Sequence, residues 1–252
     1  MSEEHDAKRQ RLDQLLTELG HFDSRARARD AILRGTVSVD GDVCAKPGAK
    51  TPENAVIAID DPARGYVSRA ALKLVAALDH FDFQPAGCCI LDIGASTGGF
   101  TQALLERGAS HVIAVDVGHG QLHNSLLADA RVTNREGVNA RDLPDDIAGG
   151  RIVSGVVSDV SFISLRLAVP MALGMVAQGG FCVLLVKPQF EAGKEAIGKG
   201  GILRDPKAGP KIAHEVSAWL DGLPGWKSLG FIPSPIEGSD GNREFLLGGA
   251  RS

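Results

Sequence analysis

The chain has 252 residues, 44% of them apolar and 23% charged, which is enough to bury one or two cores and too apolar for wholesale disorder. Its 31 glycines follow no three-residue period, which excludes a collagen-like chain, and 27 Lys/Arg against 31 Asp/Glu leave a net charge of −4. A nucleic-acid partner would have to be met by a local patch, and aromatics at 5% make stacking a minor means of binding.

The four cysteines (Cys44, Cys88, Cys89 and Cys182) show neither zinc spacing nor a disulfide framework. The first residues, MSEEHDAKRQR, contain no apolar signal segment. Both observations fit a reducing, cytoplasmic setting.

Residues 1–60 read as a small α+β module with an ordered core over 10–60. In RLDQLLTELG, Leu12, Leu15, Leu16 and Leu19 form one helical stripe that stops at Gly20. Ser24 is placed to cap a second helix, SRARARDAILRG, with Ala28, Ala31 and Ile32 inward and Gly35 as its stop. Thr36–Val39 alternates like a strand, Asp40-Gly41 reads as a hairpin turn, and AVIAI supplies another strand. Arg25, Arg27, Arg29 and Arg34 cluster on and beside the second helix. They read either as a phosphate-contacting face or as a solvated one.

Residues 61–66, opening with Asp-Pro-Ala-Arg-Gly, read as a link to a second domain over 67–252. Its first helix is expected over Ser68–His80, with Leu72, Val75, Ala76 and Leu78 inward and Lys73 facing elsewhere. Strands and helices then alternate. CCILDIG, HVIAVDVG, VTNR, IVSGVVSDV and GFCVLLVKP are the strands, with helices near 99–107, 121–128, 165–177 and 210–220 between and after them. WKSLGFIPSPI and REFLLGG form a terminal strand pair joined by a turn over Ser239-Asp240-Gly241-Asn242. The pattern predicts an α/β, doubly wound, mostly parallel sheet. Leu167–Val186 approaches membrane-spanning length, but Gln178-Gly179-Gly180 divides it into a buried helix and a buried strand.

The loop after the first strand, DIGASTGGF, places Asp92, Gly94, Ser96, Gly98, Gly99 and Phe100 where a sheet of this kind binds nucleotides. Ser96 stands where the dinucleotide fingerprint needs glycine, and no Gly-Lys-Ser/Thr follows, so the nicotinamide and P-loop readings lose ground. Asp116 ends the next strand, where an acid accepts hydrogen bonds from ribose hydroxyls. Together these residues resemble the S-adenosylmethionine site of Rossmann-like methyltransferases, with Asp142 in the loop after the third strand as a further adenosyl contact. Asp159 and Lys187 close the fourth and fifth strands, and Glu244 begins the last one. Topology brings these three to one rim, within reach of Lys73, as a cluster suited to orienting and deprotonating a hydroxyl or else as structural ion pairs. His119 and His123 lack a third ligand, and no metal is called for.

These segments, in this order, resemble the TlyA (haemolysin A-like) family of ribosomal RNA 2′-O-methyltransferases. The likeness rests on RLDQLLTELG, SRARARDAILRG, VSVDGDV, YVSRAALKL, DIGASTGGF, VDVG, VVSDVSFISL, LLVKPQFEAGK and SPIEGSDGNREFLL. It implies an S4 RNA-binding domain followed by an FtsJ-like, Rossmann-like methyltransferase domain with a seven-stranded, mostly parallel sheet. It also implies a catalytic tetrad at Lys73, Asp159, Lys187 and Glu244, with Lys187 as the central base.

The implied cofactor is S-adenosyl-L-methionine. The implied substrate is a cytidine ribose of small- or large-subunit ribosomal RNA, or both, within ribosomal subunits. The arginines of the S4 face would grip RNA, and Lys194 and Lys199 would touch its backbone. The family's SRGA-like segment has Ala70 here in place of glycine, and the first 60 residues carry 9 Lys/Arg against 11 Asp/Glu. The competing functions are methylation of another structured RNA, a non-catalytic RNA-binding ribosome factor and a pore-forming haemolysin.

Overall fold

The computed structural model describes residues 8–238 and 241–252, except for the side chain of Lys194. The chain divides into two compact units, the first ending at Gly65 and the second beginning at Tyr66.

The first unit comprises β1 (Arg9–Arg11), α1 (Leu12–Glu18), α2 (Arg25–Leu33), β2 (Val37–Val39), β3 (Asp42–Val43), β4 (Lys50–Pro52) and β5 (Ile57–Ile59). Ser24 caps α2 as the sequence indicates, its Oγ accepting from Arg27 N at 3.3 Å. Asp40 and Gly41 both take positive φ (52° and 93°), the requirement of a tight type I′ hairpin, and β2 pairs antiparallel with β3 on one side and β5 on the other. The β1–β4 pair has no signal in the sequence, because strands of three residues carry too little alternation. Leu12, Leu16, Phe22, Ala28, Ala31, Ile32 and Val37 form the core. Leu19 is 51% exposed instead of completing the stripe, since α1 ends one residue earlier and the chain reverses through Gly20.

Residues 61–65 are part of this unit. Arg34 Nη1 and Nη2 donate to the two Asp61 carboxylate oxygens at 2.7 and 2.8 Å, and Arg34 Nε donates to Asp30 at 2.8 Å. Burial raises the Asp61 carboxyl, but the hydrogen bonds from Arg34 and Ala63 N outweigh it and hold the group below its ordinary value.

The second unit begins with α3 (Ala71–Phe81), β6 (Cys89–Ile93), α4 (Gly99–Glu106), β7 (His111–Asp116), α5 (Asn124–Leu127), β8 (Val132–Glu136) and β9 (Val153–Ser158). It continues with α6 (Leu165–Ala168), α7 (Pro170–Met175), β10 (Val176–Val186), α8 (Pro188–Glu191), α9 (Ala208–Asp221), β11 (Trp226–Pro233) and β12 (Phe245–Arg251). The seven strands lie in the order β11-β12-β10-β9-β6-β7-β8. The five from β10 to β8 are parallel, and β12 pairs antiparallel with both β10 and β11. From β6 the chain builds outward first through β7 and β8, then returns to β9 on the other side. The carboxyl ends of β6 and β9 thus flank the topological switch point, where sheets of this type bind ligands.

Alternating strand residues feed two cores. Leu91, Ile113, Val156, Leu184 and Leu247 face α6, α7 and α9, while Ile90, Val112, Val157, Leu185 and Leu246 face α3 and α4. The helix expected over 165–177 is two short helices broken at Val169–Pro170, where proline removes a backbone donor. Residues 178–180, expected as a turn before the strand, lie inside β10 as an irregularity between the Val176 and Phe181 pairings. Helix α3 starts at Ala71, and its buried face is Ala71, Leu74, Ala77 and Leu78. Lys73 is buried with them, and Leu72, Val75 and Ala76 are only half-buried. Ser239 and Asp240 of the expected final turn lie outside the described residues.

Candidate active site

Strand polarity accounts for the cluster at the rim. Asp159 follows β9, Lys187 follows β10, and Glu244 precedes β12, whose antiparallel course puts its start beside their ends. Lys73 reaches the same point from the first turns of α3. Its Nζ lies 2.6 Å from Glu244 Oε2 and 4.0 Å from Asp159 Oδ2, while Lys187 Nζ lies 2.6 Å from Asp159 Oδ1. The four side chains therefore form one line of alternating charge, Glu244–Lys73–Asp159–Lys187. All are nearly buried, with side-chain exposures of 3%, 8%, 16% and 9%. Burial raises the Glu244 carboxyl above its ordinary value, more than the adjacent Lys73 ammonium lowers it. Lys187 also donates to Ser161 Oγ at 2.7 Å, a contact the sequence did not single out because it sits in an irregular loop.

Two clefts meet at this cluster. One, of about 240 Å³, is lined by Lys73, Asp159, Lys187 and Glu244 together with Gly94, Ser96, Gly99, Phe100 and the Ser68–Ala70 segment. The other, of about 610 Å³, is lined by Gly94, Ser96, Asp116, Val138–Arg141 and Val160–Ile163. Gly94, Ser96, Asp159 and Ser161 belong to both, so the space is continuous.

Asp116 shapes the larger cleft. Its carboxylate accepts from Ser96 N at 2.8 Å and from Gly118 N at 2.7 Å. The first of these bonds holds Ser96 in left-handed backbone (φ 47°) where a dinucleotide site would use glycine. Gly94 is required at its position: φ is 83°, and a Cβ would come within 3.1 Å of Val160 N.

Three expected cofactor residues sit elsewhere. Asp92 is fully buried and lines neither cleft. Its Oδ2 accepts from Thr101 Oγ1 at 2.7 Å, its Oδ1 has no hydrogen-bond partner among the described residues, and burial pushes the carboxyl up to about 7. The bond from Thr101 ties β6 to α4. Gly98 also lies off the clefts, where a Cβ would collide with Leu126 and Leu122. Asp142 is exposed and off the clefts, and its neighbours Asn139, Ala140 and Arg141 form the wall instead. The sequence also missed Phe162, which is 90% exposed at the mouth of the larger cleft, in left-handed backbone (φ 66°), with its ring 5.2 Å from that of Phe190.

Of the four arginines assigned to RNA, Arg34 is corrected: the clamp on Asp61 and Asp30 occupies it, and its side chain is 16% exposed. Arg25 and Arg27 are partly exposed and paired with Asp13 and Asp23. Arg29 is exposed and unpaired among the described residues. Lys199 is exposed in a short 3₁₀ turn, and the Lys194 side chain lies outside the described set.

Comparison with known proteins gives the family. Residues 66–251 match the FtsJ-like methyltransferase family, and residues 10–57 match the S4 domain. The 16S/23S rRNA (cytidine-2′-O)-methyltransferase TlyA of Mycobacterium tuberculosis is 45% identical over 96% of this chain and 90% of its own. The chain belongs to the TlyA family of FtsJ-like methyltransferases.

Hemolysin A of Brachyspira hyodysenteriae is a further relative, 40% identical over 94% of this chain and 98% of its own. A solved structure from Streptococcus thermophilus, described as a candidate hemolysin, superposes with a TM-score of 0.74 at 38% identity, covering 98% of this chain and 90% of that one. Among the described residues of this TlyA-family chain, no helix is long and apolar enough to cross a membrane, and Leu167–Val186 is divided among α6, α7 and β10.

Proposed function

We propose that this enzyme transfers a methyl group from S-adenosyl-L-methionine to the 2′-hydroxyl of a cytidine ribose in ribosomal RNA, presented by ribosomal subunits. The observation that carries the reading is the Glu244–Lys73–Asp159–Lys187 line standing where the two clefts join.

The residues of the larger cleft fit the cofactor. Its volume is that of an ordinary small-molecule site, Asp116 is an acid at a strand end suited to ribose hydroxyls, and Gly94 lets a ligand approach the backbone. Asp116, Gly94, Ser96 and the Val138–Arg141 wall would hold it. S-adenosylmethionine supplies an electrophilic methyl carbon bonded to sulfur.

Everything else falls to the chain. Lys187, fixed by Asp159 and Ser161, is assigned the 2′-hydroxyl proton as a neutral amine, and the ammonium so formed returns that proton to solvent. The bound cofactor would give its methyl group to the ribose oxygen and keep the bonding electron pair on its sulfur. Lys73 orients the ribose oxygen, and Glu244 balances the buried Lys73 charge. The Arg25, Arg27 and Arg29 face of the first unit is assigned to phosphate contacts.

The test offers purified small subunits, large subunits and naked ribosomal RNA to the enzyme with the cofactor. A new 2′-O-methyl group blocks alkaline cleavage at its own nucleotide. A single new resistant cytidine supports the reading, and methylation on a base or at another nucleotide type contradicts it.

A further inference from the structure

A second cleft, of about 840 Å³, shares Glu244 with the catalytic cleft. Its lining includes Pro188, Ile202, Pro210, Pro233, Pro235 and Phe245. Lys207 and Arg243 stand on its rim, both exposed and neither in an ion pair among the described residues. Glu237 is the cleft's remaining acid besides Glu244.

The cleft is built. The 196–204 segment closes on itself through the Ile197–Leu203 bridge, with Gly198 N donating to Ile202 O at 2.7 Å and Arg204 N to Ala196 O at 2.9 Å. Asn242, 5% exposed, then latches that segment to the start of β12: its Oδ1 accepts from Leu203 N at 3.1 Å and its Nδ2 donates to Gly201 O at 3.0 Å. The residue two positions before Glu244 thus fixes the cleft wall against the catalytic line.

We propose that this cleft seats the nucleotide flanking the methylated one in the same RNA strand, its base against the proline and Ile202 walls and its phosphate between Lys207 and Arg243. The inference rests on the reading above. A strand whose target ribose lies at Lys187 must leave the catalytic cleft, and the surface continuous with it past Glu244 offers apolar walls for a base and two unpaired cations for a phosphate. Unstacked single strands are recognised by such a pairing of base surface and backbone charge. Asn242 is then a positioning residue, acting through the 196–204 segment.

The experiment measures methyl transfer to RNA by the wild type and by Lys207→Ala, Arg243→Ala and the double variant, each as a function of salt. The double variant is expected to raise KM for RNA at least about tenfold, with a smaller change in kcat and unchanged cofactor affinity. It should also flatten the dependence of log affinity on log salt by about 1, for the one phosphate the two cations share. An RNA ending at the target nucleotide should show no difference between wild type and Lys207→Ala. Wild-type transfer combined with unchanged KM and salt slope in the double variant overturns the subsite alone. Absence of transfer by the wild type to any ribosomal RNA, with the cofactor bound, overturns the methylation reading and the subsite with it.

Discussion

Lys187 Nζ donates to Ser161 Oγ at 2.7 Å while Asp159 Oδ1 stands 2.6 Å from the same nitrogen. The Asp159 backbone oxygen also accepts from it at 3.5 Å, so Asp159 and Ser161 together set where the amine points.

Ser161 is a positioning residue on this geometry. Ser161→Ala should lower kcat about tenfold, the worth of one hydrogen bond to a charged group, and leave cofactor affinity and KM for RNA nearly unchanged. Ser161→Thr keeps the hydroxyl and should restore most of the loss. Steady-state kinetics on the three proteins, with the pH profile of each, checks this. An alanine variant with wild-type kcat and profile would show that Asp159 alone orients the amine.

Arg34 and Arg29 belong to the same short stretch of chain and should behave in opposite ways. Asp61→Ala strips Arg34 of its bidentate partner in a nearly buried pair, and should cost about 3 kcal/mol of unfolding free energy. Arg29→Glu touches no ion pair among the described residues, and should leave stability within about 0.5 kcal/mol while weakening RNA binding several-fold. Denaturant melts and RNA titrations on both variants separate the roles. An Asp61→Ala protein with wild-type stability would show that the Arg34 clamp contributes nothing to the fold.

Asp92 gives a pH dependence whose sign follows from its burial. Its folded-state value of about 7 lies above the unfolded value near 3.8, so between these the folded state holds more protons and stability falls as pH rises, levelling off above about 7. Asp92→Asn has no proton to lose. Relative to wild type it should gain stability as pH climbs from 4 to 8, by at most on the order of 4 kcal/mol. Melting curves across that range test it, and parallel curves for the two proteins would mean Asp92 stays ionised in the fold.

The legible parts of the site were those set by strand ends. Asp116, Asp159 and Lys187 each terminate a strand with a strong apolar run, so their arrival at one rim follows from the parallel order of the sheet. Glu244 followed once the last strand was read as antiparallel. Loop residues left no such trace. Ser161 and Val138–Arg141 have no periodicity, and their places depend on how β9 and β8 hand the chain to irregular backbone. Asp92 lies inside β6, a strand buried along its whole length, and a sequence shows the acid in the strand but not which way its carboxylate points. Arg34 was misjudged because its partner Asp61 is 27 residues away, beyond any local pattern. The α6–α7 break, by contrast, was written in Pro170.

The central claim is that the Lys73–Asp159–Lys187–Glu244 line performs methyl transfer to RNA. The most direct measurement is transfer of isotopically labelled methyl from S-adenosylmethionine to ribosomal subunits by the wild type and by Lys187→Ala, with cofactor affinity measured for both. The account predicts label in RNA from the wild type, a loss of at least about a hundredfold in the variant, and matching cofactor affinities. Label transferred equally by the variant, or none transferred by a wild-type protein that binds the cofactor, would contradict it.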